Sequence, residues 1–127
     1  MKIIKKLYYT DDHEWIKVDG DEAYIGITDY AQNNLGNIVY IDLPQVDTEF
    51  TAGDSFGVVE SDKDASDLYI PLDGKVLEVN EDILDEPQLV NKNPYKNWMI
   101  KVEMFDDSQV DELMDAKEYK EYCKREL

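Results

Sequence analysis

The chain has one cysteine and one histidine in 127 residues, and each scarcity excludes a class of chemistry. A lone Cys123 forms no intrachain disulfide, which excludes the small secreted scaffolds held by such bridges; packing on a half-buried helix face is its plain role. His13 and Cys123 lie in different regions and cannot supply the nitrogen and sulfur ligands of a usual zinc site. Any histidine-based dyad would have to use His13, which reads as structural beside Glu14 and Trp15 at a strand start. The six glycines are scattered at turns, and none belongs to a phosphate-cradling loop. No apolar run approaches the roughly 20 residues of a membrane-spanning helix.

Positive charge is scarce as well. Thirteen Lys and Arg stand against 30 Asp and Glu, for a net charge of −17. Phosphates would be repelled by such a surface, so nucleic acid and anionic membranes are excluded as partners. Proteins presenting positively charged patches are the partners that remain. No carboxylate run resembles the twelve-residue calcium loop, and acidic surface is the plain reading of most of them. Met1-Lys2-Ile3-Ile4-Lys5-Lys6 is basic but has no secretory apolar core and is short for a transit peptide. A cytosolic protein is expected.

What is present is mostly strand. Glu14 to Val18 and Ala23 to Thr28 are β-type runs joined through Asp19-Gly20, a hairpin signal because Gly tolerates the positive φ of the turn. Asp29 with Gln32 has capping-box spacing for a short helix that Gly36 closes. Ile38 to Leu43 predicts a buried strand stopped by Pro44. Ala52-Gly53-Asp54 and Asp73-Gly74 predict turns, with a strand over Lys75 to Val79. Asp82 to Pro94 reads as a loop with room for one helical turn. Trp98 to Met104 alternates, placing Trp98, Ile100, Val102 and Met104 on one face. Ser108 with Asp111 offers a helix start, and Asp115 with Glu118 a second capping pair before a helix carrying Tyr119, Tyr122 and Cys123. Strands followed by helices predict a mainly-β domain with helices docked on the sheet.

Between the apolar runs Phe56–Val59 and Leu68–Ile70 lies a polar interval with a single lysine, Lys63, among Glu60, Asp62, Asp64 and Asp67. The pattern predicts a hairpin with Lys63 near its tip. One reading is an exposed lysine kept for solubility. The sharper one is a lysine displayed for covalent modification, since an amide on the ε-amine removes its charge. Unaided, a lysine amine such as that of Lys63 is a poor nucleophile and a poor Schiff-base catalyst.

Glu60-Ser61-Asp62-Lys63-Asp64-Ala65-Ser66-Asp67, followed by Tyr69-Ile70-Pro71-Leu72-Asp73-Gly74, resembles the lipoyl-lysine hairpin of the glycine cleavage H-protein family. That family's pattern is Glu-Ser-Val-Lys-Ala-Ala/Thr-Ser-Asp, then a Pro and a Gly; here both neighbours of the lysine are Asp. His13-Glu14-Trp15, Gly26-Ile27-Thr28-Asp29-Tyr30-Ala31-Gln32, Leu35-Gly36, Val39-Tyr40-Ile41-Asp42-Leu43-Pro44, Leu89-Val90-Asn91 and Asn93-Pro94-Tyr95 continue the resemblance in order. Lys96-Asn97-Trp98 lacks the glycine that commonly precedes the family's tryptophan. The resemblance runs from about Leu7 to Leu127.

The resemblance implies a barrel-sandwich hybrid, two small sheets face to face, as a single lipoyl-carrier domain over 1–127 with C-terminal helices from about 107. It implies lipoate in amide linkage on Lys63 and no catalysis by the chain itself. The arm would take an aminomethyl group from a pyridoxal-phosphate-dependent glycine decarboxylase (P protein) to a tetrahydrofolate-dependent aminomethyltransferase (T protein). The reduced dithiol would then pass to dihydrolipoamide dehydrogenase (L protein), and a lipoate-attaching enzyme would load the lysine. Glu14 and Asp67 match family positions that hold the loaded amine in a cleft, with Asp12 close by. A monomer is expected. The alternatives are an H-like protein relaying lipoate to other complexes and an unmodified acidic interaction module. A biotin carrier would usually have Met on both sides of the lysine.

Overall fold

The computed structural model describes residues 1–126. In chain order the strands are β1 (Tyr8–Tyr9), β2 (Glu14–Asp19), β3 (Glu22–Ile27), β4 (Ile38–Asp42), β5 (Glu49–Phe50), β6 (Ser55–Ser61), β7 (Ala65–Tyr69), β8 (Gly74–Val79) and β9 (Ile100–Met104). The helices are α1 (Asp29–Leu35), α2 (Glu81–Asp85), α3 (Leu89–Lys92) and α4 (Ala116–Glu126), with a 3₁₀ turn over Asp107–Glu112. The strands form two antiparallel open sheets, the larger ordered β1-β2-β3-β9-β8-β5 and the smaller β4-β6-β7. This is the mainly-β, barrel-sandwich arrangement that the resemblance implies, with sheets of unequal size.

The β2–β3 hairpin forms as its Asp-Gly signal predicts: Asp19 pairs with Glu22 and Gly20 has φ 65°. Across that ladder Trp15 faces Gly26. A Cβ on Gly26 would come within 2.7 Å of the Trp15 indole, so only glycine leaves room for the ring. The indole N–H donates to the Pro94 carbonyl at 3.1 Å, fixing a ring that is 2% exposed. The main core takes Ile16, Ile25, Val102, Val76 and Ile100 from the larger sheet, and Ile41, Val59 and Leu68 from the smaller. Removing each such side chain from water contributes about 1.5–3 kcal/mol before chain entropy is subtracted.

A second cluster, Tyr9, Trp15, Tyr119 and Cys123, lies under α4. Tyr9 and Tyr119 stack at 4.4 Å between ring centroids with planes 5° apart. The Tyr119 hydroxyl lies 2.8 Å from His13 Nδ1 and 2.7 Å from Thr28 Oγ1. The helix therefore docks by its aromatic side, as expected, and Cys123 is buried rather than half-buried. Asp115 and Glu118 exchange reciprocal backbone caps of 2.8 and 3.1 Å, the capping box read from the sequence.

Four local expectations change. The N-cap of α1 is Thr28, whose hydroxyl accepts from the Ala31 N–H at 3.2 Å. Asp29 sits in the first turn, where helix-end amides favour a negative charge, and it accepts from Gln32 Nε2 at 2.8 Å. The segment read as one loop holds two helices, α2 and α3, pinned by buried Ile83 and Val90. The helix expected from Ser108 is a 3₁₀ turn capped by Asp106, which accepts from Ser108 N at 3.1 Å. Trp98 lies outside β9, edge-on to Tyr24 at 5.2 Å, while Ile100, Val102 and Met104 keep the expected buried face.

Tyr119→Ala removes a ring stack, two hydroxyl contacts and the volume under α4. It should destabilise the protein by about 3–5 kcal/mol, read as a lower urea midpoint with an unchanged slope.

Candidate functional site

Strands β6 and β7 run antiparallel, with Glu60 opposite Ala65 as the last pair before the turn. Ser61 organises that turn. Its Oγ accepts from the N–H groups of Lys63 at 3.2 Å and Asp64 at 3.0 Å, and its own N–H donates to the Asp64 carbonyl at 2.7 Å. From outside the hairpin, the Asn37 carbonyl accepts from Asp62 N at 3.0 Å. The backbone under Lys63 is thus held from two sides, while its side chain is exposed and makes no ion pair among the described residues. Lys63 is exposed, as the hairpin pattern predicts.

Directly after the turn, β7 forms one wall of a cleft of about 260 Å³. Tyr30, Ala31 and Asn34 of α1 form the other wall, and Asp12, His13 and Glu14 close one end. Asp12, Glu14 and Asp67 all line it, so the structure brings the three sequence-nominated carboxyls to one place. A neighbouring cleft of about 430 Å³ shares Asp12 and Glu14 and adds Asp11, Tyr69 and Tyr122. Asp67 is exposed, and the Tyr69 hydroxyl lies 3.4 Å from its Oδ2.

Glu14 is not the exposed strand carboxylate that an acidic residue at the start of β2 suggests. It is 2% exposed, and Oε2 accepts from the Tyr69 N–H at 2.8 Å, with the Thr10 hydroxyl 3.5 Å from Oε1. Burial pushes its carboxyl up to about 8; the Tyr69 N–H pulls it down, and nearby Asp12 raises it further. Asp12 is also raised, by partial desolvation and then by Asp11. A cation entering the cleft would meet carboxyls that gain by ionising beside it, in a setting where screening by water is reduced.

His13 holds the cleft's rim. It has φ 63°, a left-handed backbone uncommon for a non-glycine residue, and its ring stacks on Tyr30 at 4.3 Å. With Tyr119 on Nδ1, the imidazole ties the rim to α4, in keeping with its structural reading. Sequence reasoning gave no role to Tyr30, Tyr69 or Asn37. The contacts of Asn37 and of the Tyr69 amide are made by backbone atoms, which carry no residue signature. Among the described residues no group of His, Cys, Asp and Glu is arranged to hold a metal ion, and no helix is long and apolar enough to cross a membrane.

An exposed lysine on a braced hairpin of a two-sheet sandwich, next to a small acidic cleft, defines a carrier domain of the swinging-arm class. Comparison with known proteins makes the class specific. The profile of the family described as Glycine cleavage H-protein matches residues 7–126. The chain is 63% identical over 126 residues to the glycine cleavage system H protein of Thermoanaerobacter pseudethanolicus, covering 99% of this chain and 100% of that one. It is 53% identical over 120 residues to that of Clostridioides difficile, covering 94% and 96%. The crystal structure of a glycine cleavage system H protein from Mycobacterium marinum superposes with a TM-score of 0.86 at 37% identity, covering 98% of both chains. The chain belongs to the glycine cleavage H-protein family, the lipoyl carriers of the glycine cleavage system. Members carry a reacting group and do not themselves catalyse its conversion.

The raised carboxyl of Glu14 has a measurable consequence. The unfolded group titrates near 4.5 and the folded one near 8, so between these values the folded state holds a proton that the unfolded chain releases. This group's contribution to stability is fully present below about pH 4.5 and is lost as pH rises through about 8. Glu14→Gln should retain an acceptor for Tyr69 N–H and remove that loss. The stability of the variant relative to the parent should rise from pH 5 to pH 8 in urea titrations.

Proposed function

We propose that Lys63 carries lipoate through an amide on its Nζ, and that the cleft lined by Asp12, Glu14 and Asp67 receives the amine-bearing end of the arm. The observation that carries this reading is the adjacency of an exposed lysine, without an ion pair among the described residues, and an acidic recess whose wall begins at Asp64, the next residue. The attached group would supply a disulfide that accepts a one-carbon amine and returns as a dithiol. The chain's own residues supply support, shelter and charge.

Ser61 and the Asn37 carbonyl hold the backbone on both sides of the attachment point. In the recess, Asp67 presents a carboxylate at the open wall and Glu14 a carboxyl at the closed end. An ammonium between them favours loss of the Glu14 proton, and the burial of Glu14 reduces the screening of the resulting pair by water. Tethering makes each encounter with a partner an encounter with an attached reactant at high effective concentration. The partners under this reading are glycine decarboxylase, aminomethyltransferase, dihydrolipoamide dehydrogenase and a lipoate-attaching enzyme. They would meet a monomer in the cytosol, and their docking surfaces would complement Glu60, Asp62 and Asp64.

Incubation with a lipoate ligase, lipoate and ATP should add one lipoyl mass to the parent and none to Lys63→Arg, with both chains equally folded by circular dichroism. A parent that gains no mass under conditions that modify another lipoyl acceptor would sink the reading. On the lipoylated protein, Asp67→Asn should leave the attached mass unchanged and shorten the lifetime of the amine-loaded form several-fold. Equal lifetimes would remove Asp67 from the recess chemistry.

A further inference from the structure

The Lys63 side chain does not extend freely from its turn; it lies across Gly36. A Cβ built on Gly36 would come within 2.9 Å of Lys63 Cε and 3.4 Å of its Nζ. Gly36 has φ 84° and ψ −151°, a backbone region that side chains strain. The Gly36–Asn37 segment is therefore a bare shelf under the end of the lysine. It also reaches the turn directly, through the Asn37 carbonyl that accepts from Asp62 N at 3.0 Å.

One side chain holds that shelf. Asn91, on α3, donates from Nδ2 to the Gly36 carbonyl at 2.8 Å and to Gln32 Oε1 at 2.9 Å, and its Oδ1 accepts from Ile38 N at 2.9 Å. The Ile38 N–H needs an acceptor, which fixes the amide's orientation. Asn91 thus grips the backbone immediately on both sides of Asn37. It is itself fixed, because the next residue towards the N-terminus, Val90, is fully buried. The chain of contacts runs from α3 through the shelf to the Asp62 amide, one residue before the lysine, and no link in it passes through the cleft.

We propose that Asn91 is a positioning residue for acylation of Lys63: through the Gly36–Asn37 shelf it sets where the turn presents the amine to the attaching enzyme. This rests on the reading of Lys63 as the attachment point. In the modification the Nζ–carbonyl bond forms and the acyl–phosphate bond of an acyl adenylate breaks. AMP leaves, and the ammonium gives up two protons, one to become the nucleophile and one as the amide forms. A modifying enzyme holds the activated acyl group at one place, so its rate depends on finding the amine there. Displacements near 1 Å cost such reactions up to about a hundredfold. A small reagent in free solution has no such requirement.

The test is Asn91→Asp in the full chain. The substitution retains an acceptor for Ile38 N–H and sets a carboxylate oxygen against the Gly36 and Gln32 oxygens. With a purified lipoate ligase, lipoate and ATP, the variant should lose about tenfold or more in kcat/KM for attachment. Acetylation of Lys63 by an N-hydroxysuccinimide ester, followed by peptide mass analysis, should stay within about twofold of the parent, as expected of an exposed lysine. Hydrogen exchange at Asp62 N–H should accelerate while that of Ile25 and Val102 does not, the mark of a local release.

Equal enzymatic attachment in parent and variant would overturn the proposal. So would parallel losses in the enzymatic and reagent reactions accompanied by faster exchange in the core, which mark a general structural effect. Should Asn91→Asp not fold, Gln32→Leu decides: it removes one acceptor of the Asn91 amide and should slow enzymatic attachment alone. A parent that takes no lipoyl mass would instead overturn the attachment reading itself, and this proposal with it.

Discussion

A carboxyl buried on one sheet accepts a backbone N–H from the other, and much of the molecule's working geometry depends on that bond. Glu14 belongs to β2 in the larger sheet; Tyr69 ends β7, which lies at the edge of the smaller one. An edge strand leaves amides unpaired, and an unpaired edge invites pairing with other chains. Glu14 satisfies one such amide, fixes the distance between β7 and the Asp12–Glu14 segment, and so sets the width of the cleft between them. The carboxyl is costly to bury, which is why its proton is held so far above the ordinary range. Stability and readiness for a cation are therefore two aspects of one arrangement. The proton that eases burial of Glu14 is the one whose loss a nearby positive charge would favour.

The same separation of tasks recurs around the lysine. Ser61, Asn37 and the β6–β7 ladder fix the backbone, while the lysine's close neighbours Glu60, Asp62, Asp64 and Asp67 are all acidic. A chain with a net charge of −17 pays in self-repulsion for a field that reaches partners before contact and raises their rate of encounter. Salt weakens such a field over about 10 Å at 0.1 M. The charge then serves approach, and the short hydrogen bonds of the hairpin serve alignment.

How much of this was legible in the sequence depended on whether an interaction is local. The β2–β3 hairpin, the Lys63 turn and the Asp115–Glu118 box could be read because their partners lie within a few residues and have turn or cap chemistry. Thr28 and Asp29 are adjacent, and both are good caps. Only the backbone angles of Thr28 decide between them. Helices of five and four residues, α2 and α3, are too short to show a helical period, and their prolines and asparagines read as loop. Glu14 looked exposed because isolated carboxyls almost always are; its partner is an amide 55 positions away. The division into a six-stranded and a three-stranded sheet rests on pairings such as β3 with β9, which local patterns do not encode. The resemblance supplied the architecture that periodicity lacked.

The turn that presents Lys63 is shaped by Ser61, by main-chain atoms and by Asp64, whose Oδ1 accepts from the Ala65 N–H at 2.9 Å, while Asp62 contributes its amide. The Asp62 side chain makes no hydrogen bond in that turn among the described residues, so a change at this position removes no contact of the scaffold. Such a change alters the surface around the lysine rather than the architecture that holds it.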